Sequence, residues 1–147
     1  MIRDSRLSSV LHALLHMAEH DGPMTSEALG RCLAANPVVV RRTMGLLRDA
    51  GLVASERGHA GGWRIVADLE TVSLRRLHEA LGEPAIHALG HRHETPSCLV
   101  EQAVNAALGQ AMAEAEALLL DRFAQVTLAD LARDFARRHA EVRAQKG

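Results

Sequence analysis

Residues 25–66, TSEALGRCLAANPVVVRRTMGLLRDAGLVASERGHAGGWRIV, decide how this chain folds. Thr25 offers a capping hydroxyl, Glu27 suits a first turn, and Ala28, Leu29, Cys32 and Leu33 form a short apolar face packed inward, which predicts a helix of about two turns. Ala34-Ala35-Asn36-Pro37 breaks it, with Asn36 as the next N-cap and Pro37 at the first helical position. The helix that follows runs to Asp49 and ends at Gly51. Its residues Val40, Met44 and Leu47 recur at spacings of four and three, so they face the core and leave Val38, Arg41, Arg42, Gly45 and Arg48 toward other surfaces. Residues 52–57 then read as a strand, Gly58-His59-Ala60-Gly61-Gly62 as a turn, and residues 63–66 as the returning strand. Trp63, the one tryptophan, is expected to anchor this hairpin to the helices.

Upstream, Leu7, Val10, Leu11, Leu14, Leu15 and Ala18 recur at helical spacing over residues 6–20, until Asp21-Gly22-Pro23 stops the pattern. His12, His16 and His20 lie four apart on this helix and line one face, which reads either as a set of metal ligands or, by preference, as a partly exposed helix face. Downstream, Ser73 caps a short helix that buries Leu74, Leu77 and Leu81 and closes at Gly82 and Pro84. Residues 85–94 carry no period and form a connection. Thr95-Pro96 looks like N-cap and first position of a long helix reaching about residue 123, striped by Val100, Val104, Ala107, Leu108, Ala111, Ala115, Leu118 and Leu119. Such a stripe needs a partner surface, expected to be the same helix of a second subunit. Val126-Thr127-Leu128 opens a last helix with Asp130 at its third position, reusing the capping chemistry of residues 72–74.

The expected architecture is therefore mainly α with a small β-hairpin wing: a winged helix-turn-helix over residues 1–84, a connecting sensor-type loop at 85–94, and a helical dimerisation region at 95–147. The totals agree. Of 147 residues, 48% are hydrophobic but only 2% aromatic, which favours packed aliphatic helices over a sheet sandwich. The formal charge is only -1, yet residues 25–66 carry six arginines against three carboxylates while residues 67–147 are net acidic. Two cysteines make no disulfide framework, no apolar stretch follows Met1, and no window is long enough to span a bilayer, so a cytoplasmic protein without membrane contact is expected. No phosphate-cradling glycine loop, nucleophile elbow or framed carboxylate pair is present, so an enzyme is not expected.

Three helices followed by a hairpin point to double-stranded DNA as the ligand, with the third helix in the major groove and the wing on phosphates. The candidate contacts are Arg41, Arg42 and Arg48 in the groove beside Val38, and Thr25, Ser26, Arg57, His59 and Arg64 toward the backbone. The alternative is a winged-helix protein-interaction module without DNA binding, motivated by the weak overall charge and the apolar pair Val38-Val39.

The wing sequence of residues 52–65, LVASERGHAGGWRI, resembles that of the Rrf2 family of bacterial regulators, whose members include regulators of iron–sulfur clusters, nitrite response and cysteine metabolism. The segments at 11–18, 25–29, 40–53 and 72–74 fall where that family has its counterparts. The resemblance implies a sequence-specific transcriptional regulator, a repressor, acting as a homodimer through its long helix on a pseudo-palindromic operator. Many members hold a cluster on three cysteines before that helix, often with an acidic ligand from the first helix. Here only Cys98 falls in the region and Ser8 stands where the acidic ligand is expected, which implies a branch without a cluster or other cofactor. Cys98, expected at the third position of the long helix, reads either as a redox sensor favoured by the helix dipole or as a small packed residue. His87, His91 and His93 with Cys98 read either as metal ligands or as a polar loop.

Overall fold

The computed structural model describes residues 5–86 and 97–146. Its elements run α1 (Arg6–Glu19), α2 (Ser26–Leu33), α3 (Pro37–Asp49), β1 (Val53–Glu56), β2 (Gly62–Ile65), α4 (Leu74–Ala80), α5 (Leu99–Ala124) and α6 (Leu128–Lys146). Side-chain caps start most of these helices. Thr25 Oγ1 accepts from the Ala28 amide at 3.0 Å, Asn36 Oδ1 from Val38 at 2.8 Å, and Ser73 Oγ from Arg76 at 3.1 Å. At α6 the cap is reciprocal: Asp130 donates its amide to Thr127 Oγ1, and its Oδ2 accepts from the Thr127 amide and hydroxyl.

One apolar core gathers Val10, Ala13, Leu14 and Met17 of α1, Leu29 of α2, Val40, Met44 and Leu47 of α3, Trp63 of β2, Leu77 of α4 and Leu128 of α6. The inward face of α3 is the expected one. That of α1 is rotated from expectation: Ala13 and Met17 are buried, while Leu15 is half-buried and Ala18 is exposed. Leu74 is likewise only half-buried. β1 and β2 pair antiparallel with Val53 opposite Ile65 and Glu56 opposite Gly62. The hairpin stem is bonded to the segment before α2, through Met24 N–H to the Trp63 carbonyl at 3.0 Å and Trp63 N–H to the Met24 carbonyl at 2.7 Å.

The similar stretches 72–74 and 126–128 meet as an antiparallel bridge between Ser73 and Thr127. The start of α6 thus shares the core of the residues before the connection, although sequence alone assigned it to a separate region. α5 begins at Leu99, and the Thr95-Pro96 start assigned from sequence lies outside the described residues. None of its 26 residues is fully buried: over a length of about 39 Å, Leu99, Val100, Val104, Leu108 and Leu118 are exposed, while Met112, Leu119, Leu120 and Phe123 are half-buried. Among the described residues, no helix is long and apolar enough to cross a membrane.

Candidate nucleic-acid interface

α3 is an exposed rod bolted down along one edge. Burial of Val40, Met44 and Leu47 fixes its rotation, and the opposite face presents Val38 (58% exposed), Arg41, Arg42 and Arg48. These residues line one shallow concavity with Gly45, Leu46, Asp49 and Trp63. A second concavity continues from Arg41 and Arg48 across Thr25 and Glu27 to Ser55, Glu56 and the wing glycines. Helix face, second-helix cap and wing therefore form one continuous surface.

Trp63 sets the wing against this surface. Its ring is buried, and Nε1–H donates to Ser26 Oγ at 2.9 Å, which is buried too. Two expectations about α2 change as a consequence. Ser26 does not face solvent as a phosphate contact would, because its hydroxyl is committed to the indole. Cys32, expected inside, is exposed, because the helix is rotated so that Ser26, Leu29 and Gly30 face inward instead.

The glycines of the wing differ in role. A Cβ on Gly62 would lie 2.6 Å from the Met24 carbonyl carbon, and one on Gly61 would lie 2.4 Å from the Glu56 carbonyl oxygen. Gly58, at φ +100, has nothing within 4 Å. The stem is thus tightly fitted and the tip, with Arg57 and His59, stands free in solvent.

Carboxylates to which sequence reasoning gave no partner prove to be paired with the arginines. Glu27 Oε1 lies 3.4 Å from Arg41 Nη2, Asp49 Oδ1 3.2 Å from Arg48 Nη2, and Glu56 Oε1 2.9 Å from Arg64 Nε. Among the described residues Arg42 and Arg57 have no hydrogen-bond or ion-pair partner. Exposed pairs of this kind hold little free energy, so they orient the guanidinium groups without removing them from a competing phosphate.

Away from this surface, Cys98 is the N-cap residue of α5, not its third position. The amides of Glu101 and Val100 hold its thiol below the ordinary cysteine value. His87, His91 and His93 lie outside the described residues. Among the described residues no group of three or more His, Cys, Asp or Glu side chains is arranged to hold a metal ion.

Residues 3–134 match the family model Rrf2, described as an iron-dependent transcriptional regulator. The chain is 27% identical over 128 residues to a Bacillus subtilis protein named as the HTH-type transcriptional regulator YwnA, covering 87% of this chain and 95% of that one. Solved structures that share the fold include two with the following likeness to this chain. A transcriptional regulator from Lactobacillus plantarum superposes with TM-score 0.76 at 20% identity, over 97% of each chain. The oxidized form of CymR from Staphylococcus aureus gives 0.66 at 20% identity, over 90% of this chain and 96% of that one.

Proposed function

The chain belongs to the Rrf2 family of transcriptional regulators, and on that premise we propose that it binds duplex DNA as a homodimer and represses transcription from a pseudo-palindromic operator. The proteins it matches are regulators, not enzymes. One observation carries the reading: α3 exposes Val38, Arg41, Arg42 and Arg48 on the face opposite its buried edge, directly beside the wing. Arg42, without a partner among the described residues, is the base reader, where a bidentate contact to a guanine edge is available. Arg41 and Arg48 exchange their carboxylates for phosphates or bases, and Arg57, His59, Arg64 and the Thr25 end of α2 meet the backbone. Two such heads are joined through α5, whose exposed Leu99, Val100, Val104, Leu108 and Leu118 find their cover on a second copy. With chromosomal DNA as its ligand, the protein works in the cytoplasm.

The family description names iron, and the donor set does not fit an iron–sulfur cluster. The whole sequence has two cysteines, Cys32 on the exposed face of α2 and Cys98 at the start of α5, and a cluster needs several thiolates or substitutes on one site. The reading is a regulator that works without a cluster and responds through the activated thiol of Cys98, whose oxidation weakens DNA binding.

Duplex binding as a function of salt tests the core of this. Counterion release makes log K fall steeply and linearly with log salt for a DNA binder. Arg42→Ala is expected to cost about 1 to 3 kcal/mol and to relax sequence preference. Binding that ignores salt would instead favour a protein-interaction module, for which the exposed Val38 and Val39 supply an apolar contact.

A further inference from the structure

On the outer face of α1, away from the DNA-facing surface, two imidazoles approach each other more closely than a helix requires. His12 Nε2 and His16 Nε2 are 2.9 Å apart, their ring centroids are 4.7 Å apart, and both side chains are exposed. Only one proton fits between these nitrogens. One ring donates Nε2–H and the other accepts on a bare Nε2, so the metal-free pair already presents one imidazole lone pair to its neighbour. His20, one turn further, is not part of the pair, since its Nδ1 lies 3.2 Å from the Gly22 carbonyl oxygen.

We propose that His12 and His16 chelate one late first-row divalent cation of the nickel or copper class, with water completing the shell. The nitrogen separation suits that class. Two imidazole nitrogens held at about 2.05 Å from one ion are about 2.9 Å apart when they subtend 90°, and about 3.3 Å apart at the tetrahedral angle. The 2.9 Å of the metal-free pair is set by its N–H···N hydrogen bond and equals the cis spacing of a tetragonal or octahedral ion, so nickel(II) or copper(II) enters with little movement of either ring. Nitrogen donors without thiolates suit the same ions. Loading the site moves the shared proton from Nε2 to Nδ1 of the donating ring by way of solvent, so that both rings stay neutral, and replaces one N–H···N bond by two metal–nitrogen bonds.

The surroundings permit this. The pair lines an open cleft of α1 and α6 together with Leu15, Glu19, Phe135 and His139, which leaves room for bound water. The site does not use Cys98 or the histidines of the connection, and its two imidazole donors differ from the three cysteines that hold a cluster in many members of the family. Nor does it depend on DNA binding. With two donors from one chain it needs no third side chain already in position.

The test is calorimetric titration of the full, untagged chain with Ni2+. Wild-type protein is expected to take up one equivalent at this site. His12→Gln and His16→Gln are each expected to weaken that step by roughly 100-fold, because loss of either donor abolishes the chelate advantage. His20→Gln, and the combined His87→Gln, His91→Gln and His93→Gln variant, are expected to retain it. With Cu2+, the electron paramagnetic resonance spectrum should carry coupling to two imidazole nitrogens in the wild type and to one in His16→Gln. Thermal unfolding of the metal-free variants, at exposed positions, should match the wild type. Equal Ni2+ affinity in wild type, His12→Gln and His16→Gln overturns the proposal, and so does loss of the equivalent in the triple variant alone.

Discussion

Ser73 and Thr127, N-caps of α4 and α6, face each other across an antiparallel bridge. The Leu74 amide donates to the Val126 carbonyl and the Leu128 amide to the Val72 carbonyl, both at 2.9 Å. The returning chain is thereby fastened to the segment that opens α4 just where α6 begins, and Asp130 completes the cap there. Its carboxyl is held below the usual carboxylate value, first by the Thr127 amide, then by Arg133 and the Thr127 hydroxyl. A carboxyl depressed in the folded state stabilises above its unfolded value near pH 4 and loses that contribution as pH falls through the folded value. Asp130→Asn is therefore expected to be less stable than wild type at pH 7, with the difference vanishing below pH 4. Urea unfolding of both proteins from about pH 3 to pH 7 measures it, and a gap constant in pH would contradict the assignment.

The indole of Trp63 and the hydroxyl of Ser26 form a buried pair whose members each depend on the other. Ser26→Ala leaves the indole N–H without an acceptor and is expected to cost about 1 to 3 kcal/mol. Trp63→Phe, which also loses packing, should cost at least as much. The double variant should cost less than the two single losses added, since the second change removes a group already orphaned. Denaturation of all four proteins gives the coupling directly.

Gly62→Ala and Gly58→Ala should differ sharply although both glycines have positive φ. At Gly58 the added methyl meets nothing, so only backbone strain of about 1 to 2 kcal/mol is expected. At Gly62 it strikes the Met24 main chain, which cannot yield without breaking the bonds between Met24 and Trp63. Slow amide exchange of Met24 and Trp63 should survive the first substitution and be lost in the second.

Val104→Glu and Leu108→Glu place charge on the exposed stripe of α5 without disturbing the core. Light scattering should report a mass near twice the 15.9 kDa chain for the wild type and near one chain for the double variant, at unchanged helical circular dichroism. A dimeric double variant would move the interface elsewhere.

Cys98 should alkylate with iodoacetamide at a pH below that of an ordinary thiol, because helix-start amides stabilise its thiolate. Peroxide treatment is expected to reduce DNA binding by the wild type and to leave Cys98→Ser unaffected. Equal sensitivity in both would remove Cys98 from the signalling role.

Local chemistry was legible in the sequence and remote chemistry was not. The caps at Thr25, Asn36 and Ser73, and the inward triad Val40, Met44 and Leu47, depend on residues within a few positions, so spacing alone identifies them. The rotation of α2 depends on Trp63, far along the chain, and an eight-residue helix has too few turns for its pattern to outvote that contact. That is why Ser26 and Cys32 exchange the places expected of them. The pairing of Glu27 with Arg41 and of Ser73 with Thr127 follows from tertiary approach, so composition displayed the groups without their partners.

The contrast between a fitted hairpin stem and a free tip has an evolutionary consequence. Positions 61 and 62 have no room for a Cβ, whereas the side chains at positions 57, 59 and 60 and on the outer face of α3 are exposed and lie outside the core. Descendants of this sequence can therefore vary those exposed side chains one at a time, and with them whatever this surface contacts, without first acquiring compensating changes in the interior.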